Sequence, residues 1–113
     1  STYSRVFHIK SDGPNGDAEL VLDAGDNSLG AHPLLTFALD GTPVGYIRSQ
    51  KSQTGVTDGG MTFHTHDGLG ISEAMRLTPD GNLAVGLTYS SAKLNVGGTI
   101  KIADGGETWP MAV

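Results

Sequence analysis

Two histidines are the first residues in this 113-residue chain whose type and spacing suit metal chemistry. His64 and His66 form a His-x-His pair, and alternate residues of a strand point to the same face. Three chains around one axis would bring six imidazole nitrogens into an octahedral set suited to iron or zinc. Met61 and Phe63 alternate with the pair and point to the opposite face. We therefore predict surface histidines and no metal or cofactor, with an axial metal as the alternative.

Acidic, glycine-rich segments are the second candidates for cation binding. Residues 12–17 and 23–27 both combine aspartate, asparagine and glycine. Neither has the D-x-[DN]-x-[DN]-G spacing or the closing bidentate glutamate of a calcium loop. Asp and Asn beside Gly supply the positive φ angles of tight turns. We interpret both segments as turns.

No catalytic residue is predicted, and the chain is expected not to be an enzyme. Its aspartates lie in turn-like contexts, and the Gly-x-Ser-x-Gly, His-Glu-x-x-His and phosphate-loop patterns are absent. A glycosidase needs two carboxylates flanking the scissile bond. Glu19 and Glu73 would meet that need only by pairing across subunits.

Aromatic side chains are candidates for sugar stacking, because a ring face can cover an apolar sugar face. The candidates are Tyr3, Tyr46, Tyr89 and Trp109. Scattered aromatic residues belong more often to a core or an interface. The polar loop predicted at 50–60 suits recognition or simple connection equally, so no receptor-binding residue is assigned.

The charge balance excludes some partner classes. The net charge is −5, from 12 acidic and 7 basic residues, and the basic residues are dispersed along the chain. Phosphate-backbone binding needs clustered Lys and Arg, so nucleic acid is not an expected partner. The apolar runs are too short for a membrane span, and no basic-then-apolar leader opens the chain. The absence of cysteine excludes disulfides and thiolate sites.

Short strands joined by turns are predicted along the whole chain. Glycine makes up 17 of the 113 residues, about twice its usual share, and period-2 alternation is the dominant pattern. We predict a single all-β domain, residues 1–113, with upstream strands and a loop in 1–60 and a second region in 61–113. Nine or ten strands are expected, with 34–39 and 44–49 as a hairpin; the other segments are 5–10, 18–23, 61–66, 74–77, 83–87, 94–96 and 99–102. Residues 72–77 would alternatively form one helical turn.

The second region carries two motifs in order. Residues 72–86, SEAMRLTPDGNLAVG, resemble the ERMRI-x-x-x-GNVGIGT signature of the distal parts of phage tail fibres and tailspikes, and residues 91–100, SAKLNVGGTI, resemble its usual sequel, SAKLHV-x-G-x-I. Residues 44–48 and 61–65 resemble the xxGxI and LTFxT strands of that region. Ala84 stands where glycine is usual, and Leu-Thr-Tyr at 87–89 replaces Gly-Thr-Thr.

The resemblance implies an intertwined homotrimeric β shaft or tip, of the kind that often precedes an intramolecular chaperone domain. The residues agree with an assembly, because strands this short carry more apolar groups than one chain can cover. These are Met75, Leu77, Leu83, Val85, Leu87, Leu94 and Val96. A shared axis would also remove exposed strand edges.

Three functions follow from the resemblance. The first is a structural virion component, a tail-fibre segment that attaches to a host polysaccharide or outer-membrane receptor. The second is the stabilising C-terminal module of a polysaccharide-degrading tailspike whose catalytic domain lies upstream. The third is a bacterial surface adhesin that borrowed the module. Sequence upstream of Ser1 would separate them, since a long β-helix favours the second and further shaft repeats the first.

Overall fold

One six-stranded sheet organises the chain. The computed structural model describes residues 7–51 and 58–101. The strands, in both chain order and sheet order, are β1 (Leu34–Leu39), β2 (Thr42–Gln50), β3 (Gly60–His66), β4 (Ile71–Leu77), β5 (Leu83–Val85) and β6 (Leu94–Val96). Neighbours are antiparallel except β5 and β6, which are parallel. The described residues form strands, turns and loops without a helix, which confirms the all-β prediction.

The predicted hairpin at 34–49 is confirmed as β1 and β2. Leu39 pairs with Thr42 across a two-residue turn. Asp40 and Gly41 have φ values of 47° and 75°, and positive φ at both central residues is the property of a type I′ turn. This turn matches the twist of the flanking strands and sets the register of the two nearest pairs. The register then shifts between Ala38 and Phe37, where Val44 is the extra residue on β2.

A bulge also interrupts the pairing of β3 with β4. Phe63 pairs with Met75, but the next residue, His64, pairs with Glu73. Ala74 is therefore the extra residue on β4, and its carbonyl oxygen accepts a hydrogen bond from the Gly86 amide at 3.0 Å. The strand predicted at 74–77 is confirmed within β4, and the alternative of a helical turn at 72–77 is wrong. This segment has a neighbouring strand on each side with which to form backbone hydrogen bonds.

A tight turn at 78–82 leads from β4 into β5. The Gly81 amide donates to the Thr78 carbonyl at 2.9 Å, and the Thr78 amide donates to the Asn82 carbonyl at 2.8 Å. The predicted strand 83–87 stops at Val85. Two backbone bonds then place β6 beside β5, from the Leu83 amide to the Lys93 carbonyl and from the Gly97 amide to the Val85 carbonyl.

Residues 7–33 lie outside the sheet, so the strand predicted at 18–23 and the described part of that at 5–10 are wrong. Residues 99–101 are not a strand either, and residues 5, 6 and 102 lie outside the described part. Alternating apolar residues are insufficient for a strand that finds no neighbour to share its backbone hydrogen bonds. The upstream segment contacts the sheet near its end, where the Ser49 amide donates to the Pro33 carbonyl and the His32 Nδ1 to the Ser49 carbonyl.

The two faces of the sheet differ sharply in chemistry. Residues paired across strands share a face. The register therefore defines a mainly apolar face that carries Leu35, Phe37, Ile47, Met61, Phe63, Met75, Leu77, Leu83, Val85, Leu94 and Val96, with Ser49, Thr65 and Ser72 as its polar members. The opposite, polar face carries Thr36, Tyr46, Arg48, Gln50, Thr62, His64, His66, Glu73, Arg76 and Asn95, together with the apolar residues Leu34, Ile71 and Ala84.

The polar face holds the buried side chains, whereas in an ordinary sheet the apolar face is the buried one. Apart from glycine, the buried residues in the described part of the chain are Ala84, Thr62 and His64. All three lie on the polar face. Leu22 of the upstream segment lines an open groove of about 400 Å³ with residues of both faces, among them Leu34 and Leu35. Much of the apolar face nevertheless stays exposed. No described helix is long and apolar enough to cross a membrane.

Candidate functional site

A polar cluster on β2, β3 and β4 is the best-defined group of chemically capable side chains. We use the name polar cluster for six residues of the polar face: Tyr46, Arg48, Thr62, His64, Glu73 and Arg76. The register places Tyr46, His64 and Glu73 in one cross-strand row. Arg48, Thr62 and Arg76 form the row beside it. Side chains from three strands therefore meet above the centre of the sheet.

His64 lies at the centre of the polar cluster and is 8% exposed. Its ring stacks on Tyr46 with centroids 4.3 Å apart and planes 25° apart, and its Nε2 lies 3.0 Å from the hydroxyl of Thr62. Burial lowers the pKa of the imidazole below its ordinary 6.5, Arg48 and Arg76 lower it further, and Glu73 opposes them. The neutral ring is therefore favoured at neutral pH.

Glu73 and Arg76 form the ion pair of the cluster. The guanidinium donates through Nη2 at 2.6 Å and through Nε at 3.1 and 3.2 Å to the two carboxylate oxygens. Residues three apart on a regular strand point to opposite faces. The bulge at Ala74 brings this pair onto one face. One irregularity in the ladder thus creates the contact that neutralises Glu73.

Arg48 supplies positive charge without a carboxylate partner among the described residues. Its guanidinium carbon lies 5.8 Å from the centre of the Tyr46 ring, within cation–π range. Its Nε and the Oε1 of Gln50 are buried without a hydrogen-bond partner, and each such atom costs about 1–3 kcal/mol. Both atoms are covered by the surrounding structure, and Gln50 and Arg76 also line a small pocket of about 60 Å³ beside Leu77.

His64 and His66 lie on the same strand but differ in exposure to solvent. The expectation that both imidazoles face solvent is wrong for His64, because Tyr46 and the charged neighbours cover its ring. His66 is exposed, and its Nδ1 accepts the Gly68 amide at 3.0 Å. In the described part of the chain, no group of three or more His, Cys, Asp or Glu side chains is placed to hold a metal ion.

The acidic residues considered for catalysis and for cation binding are not brought together among the described residues. Glu19 is exposed in the upstream segment, whereas Glu73 is bound to Arg76. Asp23 accepts the Gly25 amide through Oδ1 at 2.8 Å, which is a local turn contact. Asp12 lies 3.2 Å from Lys10 in an exposed ion pair. These groups stabilise local backbone or neutralise a neighbouring charge.

The aromatic candidates for sugar stacking are placed differently from one another. The Tyr46 ring is occupied by His64 and approached by Arg48, which leaves it little free face for a sugar. Tyr89 is 64% exposed in the segment between β5 and β6. Tyr3 and Trp109 lie outside the described residues, as does the middle of the predicted 50–60 loop.

The loop between β3 and β4 is held by hydrogen bonds and carries an exposed apolar residue, a feature that sequence reasoning did not single out. The Asp67 carboxylate accepts the amides of Leu69 at 2.8 Å and Gly70 at 3.1 Å. These two bonds lower the pKa of the Asp67 carboxyl. Leu69 is 96% exposed at the tip. An apolar side chain is thus presented to solvent on a hydrogen-bonded loop.

The polar cluster was also missed, although its signal is present in the sequence. Alternation puts Tyr46 with Arg48 and Thr62 with His64 on common faces of their strands. The missing information was the register between the strands, together with the bulge at Ala74. Both depend on contacts between residues distant in sequence, which alternation does not encode.

Comparison with known proteins leaves the family open. No protein-family model matches this chain, and no curated protein matches it.

Proposed function

We propose that this chain is a β-structured segment of a phage tail fibre or tailspike, works as a homotrimer in the virion and attaches it to a host surface. Its role is assembly and adhesion rather than catalysis. The family part of the proposal rests on the motifs at 72–86 and 91–100. In the structure, these residues form the end of the sheet, from β4 through the 78–82 turn to β6.

The observation that carries the assembly is the near absence of an apolar core. Apart from glycine, Ala84 is the one buried apolar residue among the described residues. Burial of apolar surface stabilises a fold by about 25 cal/mol per Å², and one alanine supplies a negligible part of what a domain needs. Contacts with other chains would supply the rest.

Sedimentation equilibrium tests the assembly directly. We expect a species of three times the 11.7 kDa chain mass that persists on dilution, because its chains lack a core of their own. A well-behaved monomer at micromolar concentration would contradict the proposal.

A binding assay tests the attachment role. Fluorescently labelled protein is incubated with a panel of bacterial cells, with and without enzymatic removal of surface polysaccharide. We expect saturable binding to a subset of strains, abolished either by polysaccharide removal or by protease treatment of outer-membrane proteins. Uniform failure to bind across a broad panel would contradict attachment and leave only the structural role.

A further inference from the structure

The polar face of the sheet is covered by its own side chains, whereas the apolar face is exposed to solvent. This difference identifies a contact surface. On the polar face, long polar side chains cover the sheet, so that Thr62 is fully buried and His64 is 8% exposed within a single chain. On the apolar face, Leu35 is 43%, Phe37 52% and Leu94 55% exposed. Side chains left half exposed lose part of the favourable free energy that their full burial would contribute.

The accessible surface of the chain is large enough for an obligate interface. A compact monomer of this mass exposes about 5,900 Å², whereas this chain exposes 9206 Å². Part of the surplus belongs to residues 7–33, which lie outside the sheet with Phe7 82% and Val21 69% exposed. The apolar face is exposed as well, with Met61 44% and Leu77 39% exposed. Obligate interfaces bury about 2,000–5,000 Å² in total.

The charge distribution on the sheet is compatible with another copy of this chain, the partner in the proposed homotrimer, as the occupant. Each chain carries a net charge of −5, so copies repel one another through their charged surfaces. Every Asp, Glu, Lys and Arg that the register assigns within the sheet lies on the polar face, as Arg48, Glu73 and Arg76 do. Contact through the apolar face therefore brings like-charged copies together without facing their charges, and buries the uncovered surface of both partners.

We propose that copies of this chain associate through the apolar face and that the polar face, with the polar cluster, is the outer surface of the assembly. This assignment rests on the proposed homotrimer and adds the surface that forms it. The exposed members of the apolar face, Leu35, Phe37, Met61, Leu77 and Leu94, become its buried contacts.

Single cysteines test the assignment cleanly, because the natural chain contains none. Thr36 and Phe37 are adjacent on β1, exposed in the single chain, and on opposite faces. In the assembled protein, we expect maleimide to label the Phe37→Cys variant at least about tenfold more slowly than Thr36→Cys, because a packed interface core excludes solvent. Both variants should label at one rate in denaturant.

A matched leucine pair provides the second measurement. Leu34 and Leu35 are the same residue with exposures of 44% and 43%, and they lie on the polar and apolar faces respectively. Leu35→Ser should shift the sedimentation equilibrium toward the single chain at low micromolar concentration, whereas Leu34→Ser should leave the assembly mass unchanged.

The outcomes separate this inference from the proposed function. A trimer in which the thiol at position 37 is protected and that at 36 is reactive supports the assignment. A trimer with equal labelling, or with the thiol at 36 protected, overturns the assignment while leaving the trimer intact. A monomer in which both positions label rapidly overturns both.

Discussion

At the scale of single residues, His64 shows how a polar group becomes a structural element. Its ring is covered on the polar face, stacked on Tyr46 and placed beside two arginines. Protonation would place a third positive charge there, with Glu73 as the only opposing carboxylate of the cluster. The residue therefore stabilises the sheet in its neutral form.

The stability of the protein should fall as the pH drops below about 6.5, because the folded-state pKa of His64 is lowered. In that window the unfolded chain binds the proton more readily than the folded chain, so acid favours unfolding. One proton contributes at most about 1.4 kcal/mol per pH unit. Urea unfolding between pH 4.5 and 8 measures this slope.

Two variants identify the group responsible for the slope. His64→Gln should flatten it, whereas His66→Gln, an exposed change on the same strand, should keep it because His64 remains. An equal slope in wild type and His64→Gln would show that other groups control acid sensitivity.

At the scale of elements, short connections determine how the strands pair. The β1–β2 turn requires positive φ at two successive residues, Asp40 and Gly41. The β3–β4 loop depends instead on a side chain, since the Asp67 carboxylate bonds two loop amides. Both connections lie at the same end of the sheet, because β2 begins beside the end of β3.

Gly41→Ala should lower the free energy of unfolding by about 1 kcal/mol, since an L side chain is disfavoured at its φ of 75°. A Cβ at this position has open space around it, so the loss is conformational rather than steric. Gly30→Ala is the matched control, because position 30 is equally open and lacks a positive φ. Equal stabilities of the two variants in urea unfolding would contradict the turn assignment.

Asp67→Ala should speed hydrogen exchange at the Leu69 and Gly70 amides, because both lose their acceptor. Asp67→Asn keeps a side-chain oxygen and should preserve most of the protection. Exchange at the paired β3 and β4 amides serves as the internal reference. Unchanged exchange at both loop amides in Asp67→Ala would mean that the carboxylate does not order the loop.

At the scale of the whole molecule, the polar face is covered within one chain and the apolar face is not. In the proposed assembly, such a chain gains much of its stability from association. We therefore expect the melting temperature to rise with protein concentration over roughly a hundredfold range, because mass action favours the folded assembly. Calorimetry at several concentrations checks this. A constant melting temperature would indicate a self-sufficient monomer or an assembly that stays intact through unfolding, and sedimentation distinguishes those two.

The sequence by itself determined the all-β class and the local features of the chain. The Asp-Gly pair at 40–41 predicted the hairpin, and alternation located β3 and β6 within one residue of their ends. Turn residues and period-2 patterns involve only residues close in sequence, so they can be recognised from the sequence alone. The same alternation at 18–23 misled, because a strand also needs a partner that local pattern does not supply.

Only the tertiary structure decided which side chains meet. The register and the bulge at Ala74 bring Tyr46, His64 and Glu73 into one row and place Arg76 against Glu73. Because side chains alternate with period two, a one-residue change in pairing reverses the face of every residue beyond it. The burial of His64 and the exposure of Phe37 follow from that long-range pairing, and neither is encoded in the residues immediately around them.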